Sequence, residues 1–197
     1  MSATRRFAAR LAALLLAPLA AFAAAGPLPP GTRAGDLIFR EGTEAVSAAV
    51  MAVDRSGYSH VGMLLGGPGR WQVLHATPSE VPGRPDGVVI DPLAFFLDPQ
   101  RARRHAVYAV RADDDQRSRA QAYARERVGR RFRLADPSGT YCTALVWDAW
   151  RAAGVDLEVR FARLALPLMQ GDYLLPGDLM ASPRLRRLPS QHPRPPR

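Results

Sequence analysis

Short apolar runs and longer helical patterns succeed one another along this chain, and their spacing predicts most of its elements. Residues 34–39, Ala-Gly-Asp-Leu-Ile-Phe, read as a turn feeding a short buried strand. Val46, Val50 and Val53 recur at helical spacing, which predicts a helix over 44–54 with Thr43 as its cap. Two apolar runs at 59–65 and 71–76 flank Gly66-Gly67-Pro68-Gly69, a hairpin signal. Further strands are expected at 87–90 and 106–111, with a short helix at 92–97 between them. A polar helix over 114–128 turns Ala120, Tyr123, Ala124 and Val128 inward and stops at Gly129. After a loop over 130–140, an apolar helix runs from 142 to 153 and ends at Gly154, as helices favour. Pro176-Gly177-Asp178-Leu179-Met180 echoes the Gly-Asp-Leu of the first strand and is expected to form the last one. Short strands mixed with separate helices indicate an α+β domain.

The two ends follow different rules. Arg5, Arg6 and Arg10 precede an apolar stretch over 11–25 that closes on Ala21-Phe22-Ala23, the layout of a secretory signal peptide. The stretch is shorter than the roughly 20 residues that span a bilayer, so cleavage after Ala23 or Ala25 is expected rather than anchoring. Residues 1–25 are therefore assigned to the signal peptide, 26–33 to a linker, 34–181 to the domain and 182–197 to a disordered tail rich in proline and arginine. The expected location is the periplasm or the medium.

Charge changes little. The net charge is +9 and all 27 basic residues are arginine. Between residues 27 and 180, however, 19 arginines face 18 acids, so the body is nearly neutral and lacks the basic face of a nucleic-acid reader. The tail, at most, touches an anionic membrane or the cell wall weakly. Among 197 residues there is one cysteine, Cys142. In an oxidising compartment a leftover thiol is a small core residue, half of an intermolecular bridge or a reactive group.

Three residues could carry chemistry. Cys142 opens a helix after a polar loop, where free backbone N–H groups and the helix dipole favour thiolate, so fast labelling by iodoacetamide is expected. His60 and His75 lie on the two strands of the predicted hairpin, and closure through two or four loop residues sets them directly opposite each other. Each histidine taken singly is more often an ordinary buried one. Together with the lone cysteine they form a nucleophile, a base in His60 and an orienting group in His75. The backbone N–H of Cys142 could hold an oxyanion, with Tyr58 and Tyr141 as weaker side-chain candidates. The same two histidines and cysteine could instead ligate zinc, but no close ligand pair supports this, and neither a metal nor a cofactor is expected.

Four segments carry a resemblance: Gly35-Asp36-Leu37-Ile38-Phe39, Tyr58-Ser59-His60-Val61-Gly62-Met63, Val73-Leu74-His75-Ala76 and Tyr141-Cys142-Thr143-Ala144-Leu145-Val146-Trp147. In this order they resemble the circularly permuted papain-like hydrolases of the YiiX/YaeF group, relatives of NlpC-type cell-wall peptidases and of lecithin–retinol acyltransferase. The histidine before the cysteine is the mark of the permuted branch. The resemblance covers roughly residues 34–183. It implies a papain-like fold, with the helix of Cys142 packed on an antiparallel sheet, and attack on an amide, ester or thioester carbonyl through Cys142, His60 and His75. Thr143 and Ala144 stand where members often carry serine and glutamate, and His75 where some carry glutamate. The expected function is an exported cysteine amidase or peptidase, acting on a small-molecule, peptide or acylated substrate such as cell-wall peptides. The alternatives are a lipid-directed acyltransferase or thioesterase, and a binding module without turnover.

Overall fold

The computed structural model describes residues 28–136, 139–166 and 169–190. The leader expected over 1–25, the start of the linker and the last seven residues of the tail lie outside the described residues.

Six strands form one antiparallel sheet: β1 (Leu37–Gly42), β2 (His60–Leu65), β3 (Gln72–Thr77), β4 (Gly87–Pro92), β5 (Ala102–Val110) and, numbered last because it comes last, β8 (Leu185–Arg187). Their order across the sheet is β4-β3-β2-β1-β5-β8. β1 is central because its Leu-Ile-Phe run is buried on both faces. Leu37 and Phe39 join the larger core with Val61, Met63 and Leu74, while Ile38 turns to the opposite face with Leu64, Val73 and Val107. Such strands read as unbroken apolar runs rather than as alternation.

The helices sit where these faces need cover. α3 (Asp114–Arg125) and α4 (Cys142–Ala152) pack on each other, and α4 crosses β2 and β3. Leu145, Val146, Ala149 and Trp150 press into the larger core. α3 starts with a full capping box, in which Asp113 accepts from the Gln116 N–H and Gln116 returns the bond. On the other face, α2 (Leu93–Phe96) buries Leu93 and Phe96. α1 (Ala45–Val53) forms at the predicted valines. Thr43 does not cap it; its hydroxyl donates to the Gln100 carbonyl at 2.6 Å.

Three expectations are corrected. Residues Pro176–Met180 form a helix, α5, with proline in its first turn, where the missing N–H costs nothing. Asp54 accepts from the Gly177 N–H at its start, at 2.7 Å. The beginning of the supposed disordered tail is structured, since β8 pairs with β5 and Leu185 and Leu188 are buried. Leu28, within the supposed linker, is also a core residue. One element was not foreseen: β6 (Ala162–Leu166) and β7 (Met169–Tyr173) form a separate hairpin.

Candidate active site

The site is assembled at the ends of β1, β2 and β3, beside the first turn of α4. The β2–β3 register differs from the expected one. Leu65 pairs with Gln72 and Met63 with Leu74, because residues 66–71 all belong to the turn. His60 and His75 are therefore offset by two positions and not directly opposed. A shift of two preserves the face, so the rings still meet. Gly62 makes this possible: a Cβ there would collide with the Val73 side chain and meet the His75 Cβ at 3.2 Å.

His60 Nε2 and His75 Nδ1 are 2.8 Å apart, and His75 Nε2 lies 3.1 Å from Asp91 Oδ2 on β4. Arg84 donates to both Asp91 oxygens, at 2.7 and 3.2 Å. Both rings rest against Phe96 of α2, with centroids at 5.7 and 5.1 Å. The two histidines and Asp91 are buried. Burial raises the Asp91 carboxyl, but hydrogen bonds from His75 and Arg84 outweigh it and hold the group below its ordinary value. A carboxylate only accepts, so His75 donates from Nε2 and accepts at Nδ1. His60 must then donate from Nε2, which leaves its Nδ1 lone pair as the basic site. Desolvation, together with the Arg40 charge, lowers His60 well below an ordinary histidine; desolvation also lowers His75, although Asp91 opposes it. Both rings are neutral at neutral pH.

Cys142 is partly buried at the start of α4 and borders, with His60, a cavity of about 250 Å³. Its sulfur lies against the backbone N–H groups of Val61, Thr143 and Cys142 itself. These contacts and the Arg40 charge favour thiolate, as the helix start predicts, yet desolvation is larger and pushes the thiol above its ordinary value. The expectation of a thiol already biased toward thiolate therefore reverses. Among the described residues no hydrogen bond joins the sulfur to His60, and the resting pair is a thiol and a neutral imidazole.

The two tyrosines have structural work. Tyr58 packs edge-on to Phe39 at 6.4 Å, with the Arg104 guanidinium 4.9 Å above its ring. Tyr141 precedes α4, and its hydroxyl accepts from the buried Leu174 N–H at 3.2 Å. Burial pushes that hydroxyl up to about 12.

Asp91, Arg40 and Glu80 escaped the sequence reading. Arg40 is fully buried on β1, paired across the sheet with His60, and donates to Glu44 at 2.9 Å, to Glu80 at 2.7 Å and to the Phe96 carbonyl at 3.0 Å. A single acid in the apolar run Val88-Val89-Ile90-Asp91 was the available signal for Asp91. Nothing in the sequence marks Arg40 among so many arginines.

His60, His75 and Glu80 each offer a ligand atom within 4.8 Å of the others, a donor set that zinc accepts. Two nitrogens on one tetrahedral ion, at about 2.0–2.1 Å each, would stand about 3.3 Å apart. Here they are 2.8 Å apart and hydrogen-bonded, and Glu80 is already paired with Arg40, which it shares with Glu44, and with Arg101. As arranged, these residues do not fit a metal ion, and Cys142 is not part of the group.

The sequence model of a family described as permuted papain-like amidase enzyme, YaeF/YiiX, C92 family, matches residues 31–188. A crystal structure described as metalloprotein yiiX from Escherichia coli O157:H7 shares the fold, with a TM-score of 0.66 at 20% identity over 82% of this chain and 98% of that one. No curated protein matches the chain.

Proposed function

We propose that this chain, which belongs to the permuted papain-like amidase family, is an exported cysteine hydrolase that attacks an amide, ester or thioester carbonyl with Cys142. The observation carrying this reading is the relay His60–His75–Asp91, which ends at the cavity that the single cysteine also borders.

In this reading Cys142 Sγ attacks the carbonyl carbon while its proton passes to His60 Nδ1. His75, held by Asp91, fixes the His60 tautomer and stabilises the imidazolium as it forms, much as the carboxylate does in a serine triad. His60 then hands the proton to the leaving nitrogen or oxygen as its bond to carbon breaks. Water attacks the resulting thioester with the same base, releasing a carboxylic acid and restoring the thiol. The backbone N–H groups beside the sulfur are suited to hold the oxyanion, and neither tyrosine hydroxyl is needed. A resting thiol with a raised pKa is compatible with this chemistry, because the proton moves only when a carbonyl is in place. Export rests on the leader pattern at residues 5–25, and cell-wall peptides are one substrate consistent with that location.

The test is turnover of amide, ester and thioester probes by wild type, Cys142→Ala and His60→Ala. Loss of at least a thousandfold in both variants, with folding retained, is the expected result. Binding of probes without turnover would make the chain a binding module of the same fold.

A further inference from the structure

His60 has to stay neutral to serve as a base, yet carboxylates gather around it. Asp91 of β4 lies behind His75. Glu80, from the loop after β3, brings an oxygen within 4.8 Å of a ring nitrogen of each histidine, and its buried Oε2 has no hydrogen-bond partner among the described residues. Glu44, just before α1, lines the same cavity as His60. Carboxylates this close attract a proton onto an imidazole and would turn the base into an imidazolium.

Arg40 of β1 is the one cation among the described residues that line the cavity. It pairs with His60 across the β1–β2 ladder, which puts both side chains on one face with Cβ atoms about 4.5–5.5 Å apart. Its guanidinium is fixed from several sides. One nitrogen donates to the Phe96 carbonyl at 3.0 Å, the other to Glu44 at 2.9 Å and Glu80 at 2.7 Å. The group also lies 4.5 Å above the Phe96 ring, on which both histidines rest. An arginine keeps its proton in proteins, so the charge is permanent. The remaining neighbours add no net charge: Asp91 is paired with Arg84, α2 offers Phe96, and Cys142 of α4 is a thiol.

We propose that Arg40 is a positioning residue of the hydrolase reaction: held one strand away from His60, it cancels the pull of Glu44 and Glu80 and keeps the ring free to take the Cys142 proton in acidic as well as neutral medium. The proposal rests on His60 being the base for Cys142. Arg40 touches no reacting atom and neither gives nor takes a proton; the proton still passes from Sγ to Nδ1 and on to the leaving group. Burial is the largest cause of the lowered His60 and the Arg40 charge is the next.

Two unit charges about 6 Å apart, at an effective dielectric constant of about 20, shift each other's titration by about two pH units. Ser47 and Thr77 still donate to the two glutamates when Arg40 is gone, so their pull on a proton remains. Removing the cation therefore moves the titration of the histidine pair upward, by at least about one unit.

The experiment follows kcat/KM of the full chain on p-nitrophenyl acetate against pH. Wild type should keep its acid limb below the ordinary histidine value of about 6.5. Arg40→Gln should raise that limb by at least one unit. Arg40→Lys, which retains the charge, should leave it within about 0.3 unit of wild type whatever it does to the plateau, and Glu44→Gln, which removes a carboxylate, should lower it. A limb unmoved in Arg40→Gln, or raised equally in Arg40→Lys, makes Arg40 a packing residue and overturns the proposal. If Arg40→Gln does not fold, Glu44→Gln decides, since a limb that stays or rises overturns the proposal as well. Absence of any Cys142-dependent turnover is a separate failure, that of the hydrolase reading. The His60 ring titration, followed by nitrogen NMR without substrate, then reads the effect of Arg40 directly: a rise of at least one unit in Arg40→Gln supports its role, and no rise removes it.

Discussion

Replacing Asp91 by asparagine changes one atom pair in a place where the whole relay depends on it. The carboxylate forces His75 to donate from Nε2 across 3.1 Å, which in turn fixes the proton of His60 on Nε2. An amide can rotate to donate its own N–H to His75 Nε2. That ring then carries its proton on Nδ1 and donates to His60 Nε2, and the His60 proton moves to Nδ1, the atom that should accept from Cys142. The analogous carboxylate-to-amide change in a serine triad costs about 10⁴ in kcat through the same tautomer error. Here the carboxylate acts through one additional ring, so a loss of about 10² to 10⁴ in kcat is expected, equivalent to about 2.7–5.5 kcal/mol of transition-state stabilisation. Binding contacts are untouched, so KM should change less than threefold. Asp91→Asn also weakens the pairing with Arg84, a partly buried charge-assisted contact whose loss costs about 1–3 kcal/mol of stability. A melting curve measured beside the kinetics separates this effect from catalysis. A folded variant with kcat within threefold of wild type and an unchanged pH–rate profile would refute the relay.

Other outcomes follow from the same geometry. Because both buried histidines have folded-state pKa values below the ordinary 6.5, the unfolded chain takes up their protons first. Stability is therefore fully present above about pH 6.5 and is lost as pH falls below it, with these two groups contributing a slope of up to about 2.7 kcal/mol per pH unit. Denaturant midpoints that stay flat from pH 7 to pH 5 would contradict their neutral burial. The raised Cys142 thiol should be alkylated by iodoacetamide at pH 7 more slowly than an unfolded-chain thiol, with the rate climbing steeply above pH 9; fast labelling at neutral pH would show a preformed thiolate. Tyr141→Phe strips the Leu174 N–H of its acceptor and should cost about 1–3 kcal/mol while leaving kcat within threefold, whereas a hundredfold kcat loss would give the hydroxyl an oxyanion role. Metal analysis of the purified protein should find less than 0.1 equivalent of zinc, as about one equivalent, lost in Glu80→Gln, would overturn the ion-pair assignment of Glu80.

Much of this site could be read from the chain because it uses strong local signals. A cysteine at a helix start and two histidines on adjacent strands are visible in spacing alone, and even a register error of two left the rings on the same face. Asp91 and Glu80 were harder, since each reaches the site through pairing of β3 with β4 and through a loop, contacts that no local period encodes. The repeated Gly-Asp-Leu misled because its first copy enters a buried strand, whereas the second follows a proline that starts a helical turn. β6 and β7 were missed for a related reason: among the described residues they pair only with each other, and β6 lacks the uniform burial that marks the main sheet. The reversal at Cys142 is one of magnitude. Helix start and backbone N–H groups act as expected, but desolvation by burial is the larger effect.

Intact-protein mass spectrometry of a reaction quenched in acid within its first turnover tests the central claim most directly. With a p-nitrophenyl ester, wild type should gain the mass of one acyl group, located by peptide mapping on Cys142; Cys142→Ala should gain none and His60→Ala should gain it at least a thousandfold more slowly. Ester consumption without any adduct on that sulfur, or labelling indifferent to His60, would contradict covalent catalysis by this pair.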